Sequence, residues 1–413
     1  MSPTASVRRV PFWFDRFPRA RRPTYPPLRQ QAETGVVIIG GGLTGCACAW
    51  SFAAAGVKVV LLEAEAIGAG ATAASIGLVR EDFDASFQET AAACGLRAAR
   101  HLWQTMHRAS LDFSAALRRL EIRCDLSPLD LLHFAGRDSQ ATKTLRREYQ
   151  SRRDAGLEHS WVTPAAMMRE TAILSGGAIR TRGAGIDPYR ACLGLAAAAR
   201  LRGAAIHEKS AALRVRPGRH FIEVNTDRGG VRAQAVVVAT SDPLQDLKAL
   251  RRHLKAVDGY AVVTEPLPAA VGRETGRHAA TLRDRENPPH FLRWLRDDRV
   301  LFSGADQIPV PAQSREKAIV QRTGQLMYEL STRYPAISGL QPAWGWSGTY
   351  YETVDGLPFV GLHRNFPRHL FALGGGRHGA GFAWLAARVL LRQYAGEPSK
   401  GDEFLGFSRI LGR

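Results

Sequence analysis

The sharpest pattern of apolar and polar positions lies between residues 36 and 63. Residues 36–39 are all apolar, the profile of a strand covered on both faces. A small-residue run at 43–55 predicts a helix, which Gly56 stops, and a second apolar run at 57–62 predicts a parallel neighbour ending on Glu63. Residues 64–79 carry Gly and Ala without periodicity and read as a loop. Apolar positions then recur at helical spacing over 86–120, including Leu96, Leu102, Trp103, Met106, Leu111, Phe113 and Leu117. His101 and His107 fall on the other, polar face of that helix. A polar helix follows at 139–155 before Gly156. Asp187 is placed to cap a helix over 189–201, with Pro188 in its first turn and Gly203 past its end. Short strands are expected at 205–207, 211–215, 221–226 and 231–240, the stretch 236–239 fully buried. From 256 to 346 the alternation is that of strands (YAVVTE, FLRWLR, RVLFSG), with one helix at 315–334. The chain returns to a buried strand at 370–373, a run of glycines, and a helix at 380–394.

Strand, glycine turn and helix therefore occur near both ends of the chain. This order predicts an α/β core assembled from separated segments and interleaved with a mixed α+β domain. The expected boundaries are an N-terminal arm at 1–32, a dinucleotide-type domain from 33–85, 160–243 and 347–400, and a substrate domain from 86–159 and 244–346. The arm holds Phe12, Trp13, Phe14 and Phe17, too apolar for a free tail, and is expected to pack on the body or on a partner subunit.

The first turn carries chemistry. Gly40, Gly42 and Gly45 form G-x-G-x-x-G: one glycine for the tight turn, one for close approach of a pyrophosphate, one for helix–sheet contact. A helix N-terminus there offers N–H groups and partial positive charge to phosphates. Glu63 can accept from ribose hydroxyls.

Composition changes this picture in three places. The 413 residues suit two domains, and no run of 18 apolar residues is present to span a membrane. The N-terminus has no apolar core of a secretory signal. Five Cys, with no C-x-x-C and no zinc spacing, predict a reduced, cytoplasmic protein without a metal site. The net charge of +18 has three readings: compositional bias, attraction to an anionic partner such as nucleic acid, or steering of an anionic substrate. The first is preferred, because no basic stripe interleaved with aromatics stands out.

The chain resembles the flavin-dependent amine and amino-acid oxidoreductases of the D-amino-acid oxidase group, which includes glycine oxidase, sarcosine oxidase and γ-glutamylputrescine oxidase-like proteins. The resemblance is carried by VVIIGGGLTG with Glu63, IGAGATAASIGLV, AAIHEKSAALRV with AVVVAT, DGLPFVG, and LFALGGGRHGAGFAW. It implies a Rossmann-like FAD-binding domain, non-covalent FAD, and oxidation of a C–N bond by hydride transfer to flavin N5. By that resemblance Gly40, Gly42, Leu43, Thr44 and Gly45 meet the pyrophosphate, and Glu63 and Ala64 the adenosine ribose. Thr72, Ala73 and Ser75 follow the phosphate and ribityl chain. Ile76 and Gly77 lie near the isoalloxazine, and Ala212 touches adenine. Gly376, Arg377, His378, Gly379, Ala380 and Gly381 line the pyrimidine edge. Arg377 is the candidate for a substrate carboxylate, with Arg293 second, and His378 is placed to touch the flavin. The segment WGWSGTYYETVDG lacks the Arg that D-amino-acid oxidases carry there, and RVLFSG lacks the Lys of sarcosine oxidases. The electron acceptor, oxygen or another carrier, stays open. Two alternatives stand beside a small-molecule enzyme: an oxidoreductase acting on a tRNA wobble-uridine side chain, and the flavin subunit of a larger dehydrogenase.

Overall fold

The computed structural model describes residues 7–241, 247–377 and 379–410. They form two compact units. The first comprises 17–126, 186–256 and 350–410, and the second comprises 7–16, 127–185 and 257–349.

The first unit is built on strand Gln31–Ile39. Val59–Leu62 and then Ala205–His207 lie parallel on one side of it; Gly230–Val238 and then Phe366–Leu373 lie parallel on the other. Phe359–His363 adds an antiparallel edge. The register pairs Val36 with both Val59 and Ala235, and Ile39 with Leu62 and Val238. Val36, Val37 and Ile38 are fully buried, which explains their unbroken apolar run. The chain leaves Gln31–Ile39 for one side of the sheet and later returns on the other. The carboxyl end of this strand is thus the switch point where an open α/β sheet forms its crevice.

Helix Leu43–Ala54 packs against Pro188–Leu201 and Ala380–Ala395, and the last of these packs against Leu96–Arg119. Small residues permit this: Gly45, Cys46, Ala47, Cys48 and Ala49 are all buried. Asp187 caps its helix as the sequence predicts, accepting from the Arg190 N–H at 3.0 Å.

Several boundaries differ from expectation. The region 86–120 is two helices, Phe87–Cys94 and Leu96–Arg119, parted by Gly95 at φ +87°. Ser86 and Glu89 form a capping box on the first. Leu96 and Leu111 are exposed, so the buried stripe is narrower than the apolar spacing suggests. The strand expected at 211–215 is Arg214–Pro217. Residues 86–126 cluster with the first unit rather than with the substrate segments, because Trp103, Met106, Phe113 and Leu117 are buried among its helices. Residues 160–185 cluster with the second unit, because Gly177–Gly185 pairs along its length with Ser127–Ala135.

The second unit holds a mixed sheet in the order Pro342–Thr353, Leu254–Thr264, Val300–Gln307, Phe291–Trp294, Ala280–Arg283, Ser127–Ala135, Gly177–Gly185. Helix Arg315–Arg333 supplies Ile319, Leu326 and Leu330 to a core with Tyr260, Val262 and Phe302. Residues 7–16 of the aromatic arm belong here. Phe12 and Trp13 are buried, and Phe12 meets Trp344 edge-on at 5.0 Å.

Candidate functional site

The turn after Gln31–Ile39 is closed by backbone contact. A Cβ on Gly45 would lie 1.8 Å from the Gly40 carbonyl oxygen, so the helix can approach the strand end only because Gly45 has none. Gly42 is different. Its backbone is extended (φ −74°, ψ −178°), which any residue adopts, and a Cβ there would meet only Thr72 Oγ1, at 3.2 Å. Protein packing thus opposes a side chain at 42 far less than at 45, asking only a small shift of Thr72; a ligand drawn close to the helix N-terminus would oppose it outright.

Around this turn lie the acceptors. Glu63 is half-buried, and its Oε2 accepts from the Gly41 N–H at 2.6 Å and its Oε1 from the Glu65 N–H at 2.8 Å. Burial pushes the Glu63 carboxyl above its ordinary range, against the pull of those two N–H groups. Thr72 Oγ1 accepts from the Leu43 N–H at 2.9 Å, a cap that arrives from the Ala71–Ala74 helix. Thr44, Ser75 and Ile76 are half-buried, Ala73 and Gly77 buried, and Ala64 exposed. Ala212 is half-buried beside the core of the first unit. Sequence reasoning missed Glu208, whose carboxylate accepts from the Tyr25 N–H at 3.0 Å and the Ile67 N–H at 2.8 Å and so ties three segments together.

The second glycine turn, 374–379, leads into helix Ala380–Ala395 in the same unit. Gly376 donates to the Tyr351 carbonyl at 3.1 Å, and Gly379 forms an antiparallel bridge with Val79. The Arg377 N–H donates to Asp84 Oδ2 at 2.9 Å, and its carbonyl accepts from Arg80 Nη1 at 2.5 Å. The Arg377 guanidinium lies 3.5 Å from Glu352 Oε1 and 5.2 Å from the Tyr350 ring centre. Ala380 and Gly381 are buried in the first turn of the helix. His378 lies outside the described residues.

Sequence reasoning also missed Arg80, Asp82 and Asp84, in a stretch that follows the predicted loop. The dense charge of REDFD directly after two apolar residues was the available signal. His107, expected on a solvated face, has Nδ1 2.5 Å from Glu81 Oε2. Arg293 belongs to the second unit and is buried, its guanidinium 5.2 Å from the Trp13 ring centre. The four buried thiols are Cys46, Cys48, Cys124 and Cys192. No described helix is long and apolar enough to cross a membrane.

A parallel strand switch point, a glycine turn at a helix N-terminus, and an acid at the end of the second strand fit an adenine dinucleotide. The comparisons agree. Residues 35–393 match the family described as FAD dependent oxidoreductase. The probable oxidoreductase OrdL of Haemophilus influenzae is 25% identical over 391 residues, spanning 92% of this chain and 88% of that protein. The gamma-glutamylputrescine oxidoreductase of Escherichia coli is 25% identical over 386 residues, with the same shares of 92% and 88%. The crystal structure of glycine oxidase from Geobacillus kaustophilus aligns with a TM-score of 0.73 at 20% identity, covering 91% of this chain and 98% of that one, a likeness of fold.

Proposed function

The chain belongs to the FAD dependent oxidoreductase family, and from that premise we propose that it oxidises the C–N bond of a small amine or amino acid. It is an enzyme, and its cofactor is FAD. Bound FAD supplies a two-electron acceptor, at N5, for the hydride that leaves the amine-bearing carbon. The protein's share is to hold the cofactor, orient the substrate and keep water away from the reacting carbon.

In this reading Gly40, Gly42, Leu43, Thr44 and Gly45 hold the pyrophosphate. Glu63 exchanges its grip on the Gly41 and Glu65 N–H groups for a share in the ribose hydroxyls, next to Ala64. Thr72, Ala73 and Ser75 follow the phosphate and ribityl chain, Ile76 and Gly77 approach the ring, and Ala212 meets adenine. Gly376 to Gly381, His378 included, border the pyrimidine edge, where the N-terminus of helix Ala380–Ala395 favours the charge that reduction brings. FAD is held without a covalent bond.

The observation that carries the substrate class is Arg377. Its half-buried guanidinium stands just before that helix, over Tyr350 and beside Glu352. A planar fork suits a carboxylate, and a substrate carboxylate there would take the guanidinium over from Glu352. Among the relatives, the gamma-glutamylputrescine oxidoreductase and the glycine oxidase are named for an amine and an amino acid.

The test is anaerobic. Holoenzyme is mixed with a panel of amines and amino acids, and loss of the visible flavin band is followed. Bleaching by members of the panel, slowed in Arg377→Met for carboxylate-bearing substrates, supports the reading. A flavin that no amine bleaches overturns it. Bleaching only by a tRNA bearing an aminomethyl-carboxylate would move the substrate to nucleic acid, and bleaching that needs a second polypeptide would make the chain one subunit of a dehydrogenase.

A further inference from the structure

We propose that Arg80 is a positioning residue that, together with Asp84, clamps the Arg377 peptide and so aims the N-terminus of helix Ala380–Ala395 at the flavin. The inference rests on the reading of 376–381 as the flavin's pyrimidine edge.

Arg80 ends strand Leu78–Arg80, and its side chain is 2% exposed. A guanidinium so buried is costly unless its charge and its donors are answered. Here they are. Nε donates to Asp82 Oδ1 at 2.8 Å, Nη1 to Asp84 Oδ1 at 3.2 Å and to the Arg377 carbonyl at 2.5 Å, and Nη2 to the Phe83 carbonyl at 3.3 Å. Burial works against the charge, but Asp82 and Asp84 hold the proton on more firmly than water would.

Asp84 completes the clamp. One of its oxygens receives Arg80 and the other receives the Arg377 N–H at 2.9 Å. A single ion pair thus grips Arg377 by its N–H and by its carbonyl. The main chain of the same strand carries the next step. Val79 bridges Gly379, and a Cβ on Gly379 would lie 2.4 Å from the Leu78 carbonyl oxygen. Ser110, from helix Leu96–Arg119, donates to the Arg80 carbonyl, and a Cβ on Gly381 would lie 2.5 Å from the Ser110 hydroxyl. Gly376, Arg377, Gly379 and Gly381 are therefore set on a platform of 78–84 and Ser110.

A buried ion pair is weak evidence for stability, since apolar residues of similar volume serve as well or better. What it supplies is direction. Four acceptors about one planar fork, the Arg377 carbonyl among them, fix the direction in which that carbonyl points. The first turn of helix Ala380–Ala395 inherits that orientation. Preorganised donors aimed at developing charge lose their effect when tilted.

The test uses holoenzyme with Arg80→Lys, which keeps the charge and loses the fork, and Asp84→Asn, which keeps the shape and loses the charge. The readouts are the flavin midpoint potential and visible spectrum. Arg80→Lys is expected to cut the preference for reduced over oxidised flavin about tenfold, lowering the potential by about 30 mV for a two-electron couple. Asp84→Asn should move it the same way by less, and it decides the matter if Arg80→Lys does not fold. An Arg377→Ala holoenzyme serves as reference. A shift there, with wild-type potential and spectrum in the folded Arg80 or Asp84 variants, overturns the inference alone. No shift in Arg377→Ala or in the folded Arg80 and Asp84 variants places the turn away from the flavin and overturns the underlying reading with it. A raised KM at unchanged potential in Arg80→Lys would put Arg80 on the substrate and also overturn the inference.

Discussion

Two glycine turns in one unit lead from a buried parallel strand into a helix, and they are held by different forces. The turn at 40–45 is closed locally: Gly45 sits on the Gly40 carbonyl, and Glu63 folds back to Gly41 only 22 residues away. The turn at 374–379 is held from a distance: its peptide at Arg377 is gripped by Arg80 and Asp84, 297 and 293 residues earlier. The first relies on missing side chains and backbone geometry. The second adds a buried charge network to the same want of side chains, at Gly379 and Gly381. The lesson is that one strand–turn–helix motif can be fixed by sterics or by electrostatics, and that the two respond differently to substitution and to pH.

The largest expected effect tests the steric turn. Gly45→Val would force helix Leu43–Ala54 off the strand, because a Cβ has 1.8 Å to the Gly40 carbonyl. Loss of FAD binding with a large fall in melting temperature is predicted, measured by flavin fluorescence and thermal unfolding. A folded, flavin-loaded Gly45→Val would show that the turn tolerates separation.

A control lies outside both turns. In the second unit, His290 Nδ1 is 2.7 Å from Asp284 Oδ2, with Arg333 Nη2 2.7 Å from the same oxygen. Burial alone would lower the His290 pKa, but the Asp284 hydrogen bond and charge raise it; burial alone would raise that of Asp284, but His290 lowers it. Breaking such a buried pair costs about 3–5 kcal/mol. The Asp284 contribution is present above its ordinary pKa and is lost as pH falls through its depressed folded value. The His290 contribution is whole below the ordinary histidine value and is lost as pH rises through its raised one. The stability gap between wild type and His290→Gln in denaturant titrations should thus be widest between those ordinary values and narrow on both sides. A gap that does not change with pH would mean that the pair is not ionised.

Glu63→Ala is expected to weaken FAD binding by about 1.5–3 kcal/mol, as for a hydrogen bond to a charged group. Because burial raises the Glu63 carboxyl, wild-type affinity should be full above that raised value and fall as pH drops through it, at a higher pH than for an ordinary glutamate. The Glu63→Ala protein should lack this step in a titration of FAD affinity against pH. The smallest effect belongs to Thr72→Val, which removes the cap on the Leu43 N–H and should cost about 1 kcal/mol of stability by thermal unfolding.

The same contrast explains what could be read from the sequence. The 36–63 unit was legible because its partners are near in sequence and its apolar runs are unbroken. The cap at Asp187 and the helix at Ala380–Ala395 were legible for the same local reasons. Arg80 and Asp84 were not, because their partner lies almost 300 residues away and their charges look like a solvated loop. Gly95 hid a break because the apolar spacing continues across it, although Ser86 and Glu89 already spelled a capping box. Strands Ser127–Ala135 and Gly177–Gly185 escaped notice because each takes its order from the other across some fifty residues.

The most direct test turns on Gly42, where the backbone is extended and a Cβ would press only on Thr72 Oγ1, at 3.2 Å. The measurement is the flavin-to-protein ratio after FAD saturation and desalting, for wild type and Gly42→Leu, beside the melting temperature of each without FAD. The account predicts one FAD per wild-type chain, next to none for Gly42→Leu, and similar melting temperatures. A folded Gly42→Leu that keeps a full complement of FAD would contradict it, for the pyrophosphate would then lie elsewhere.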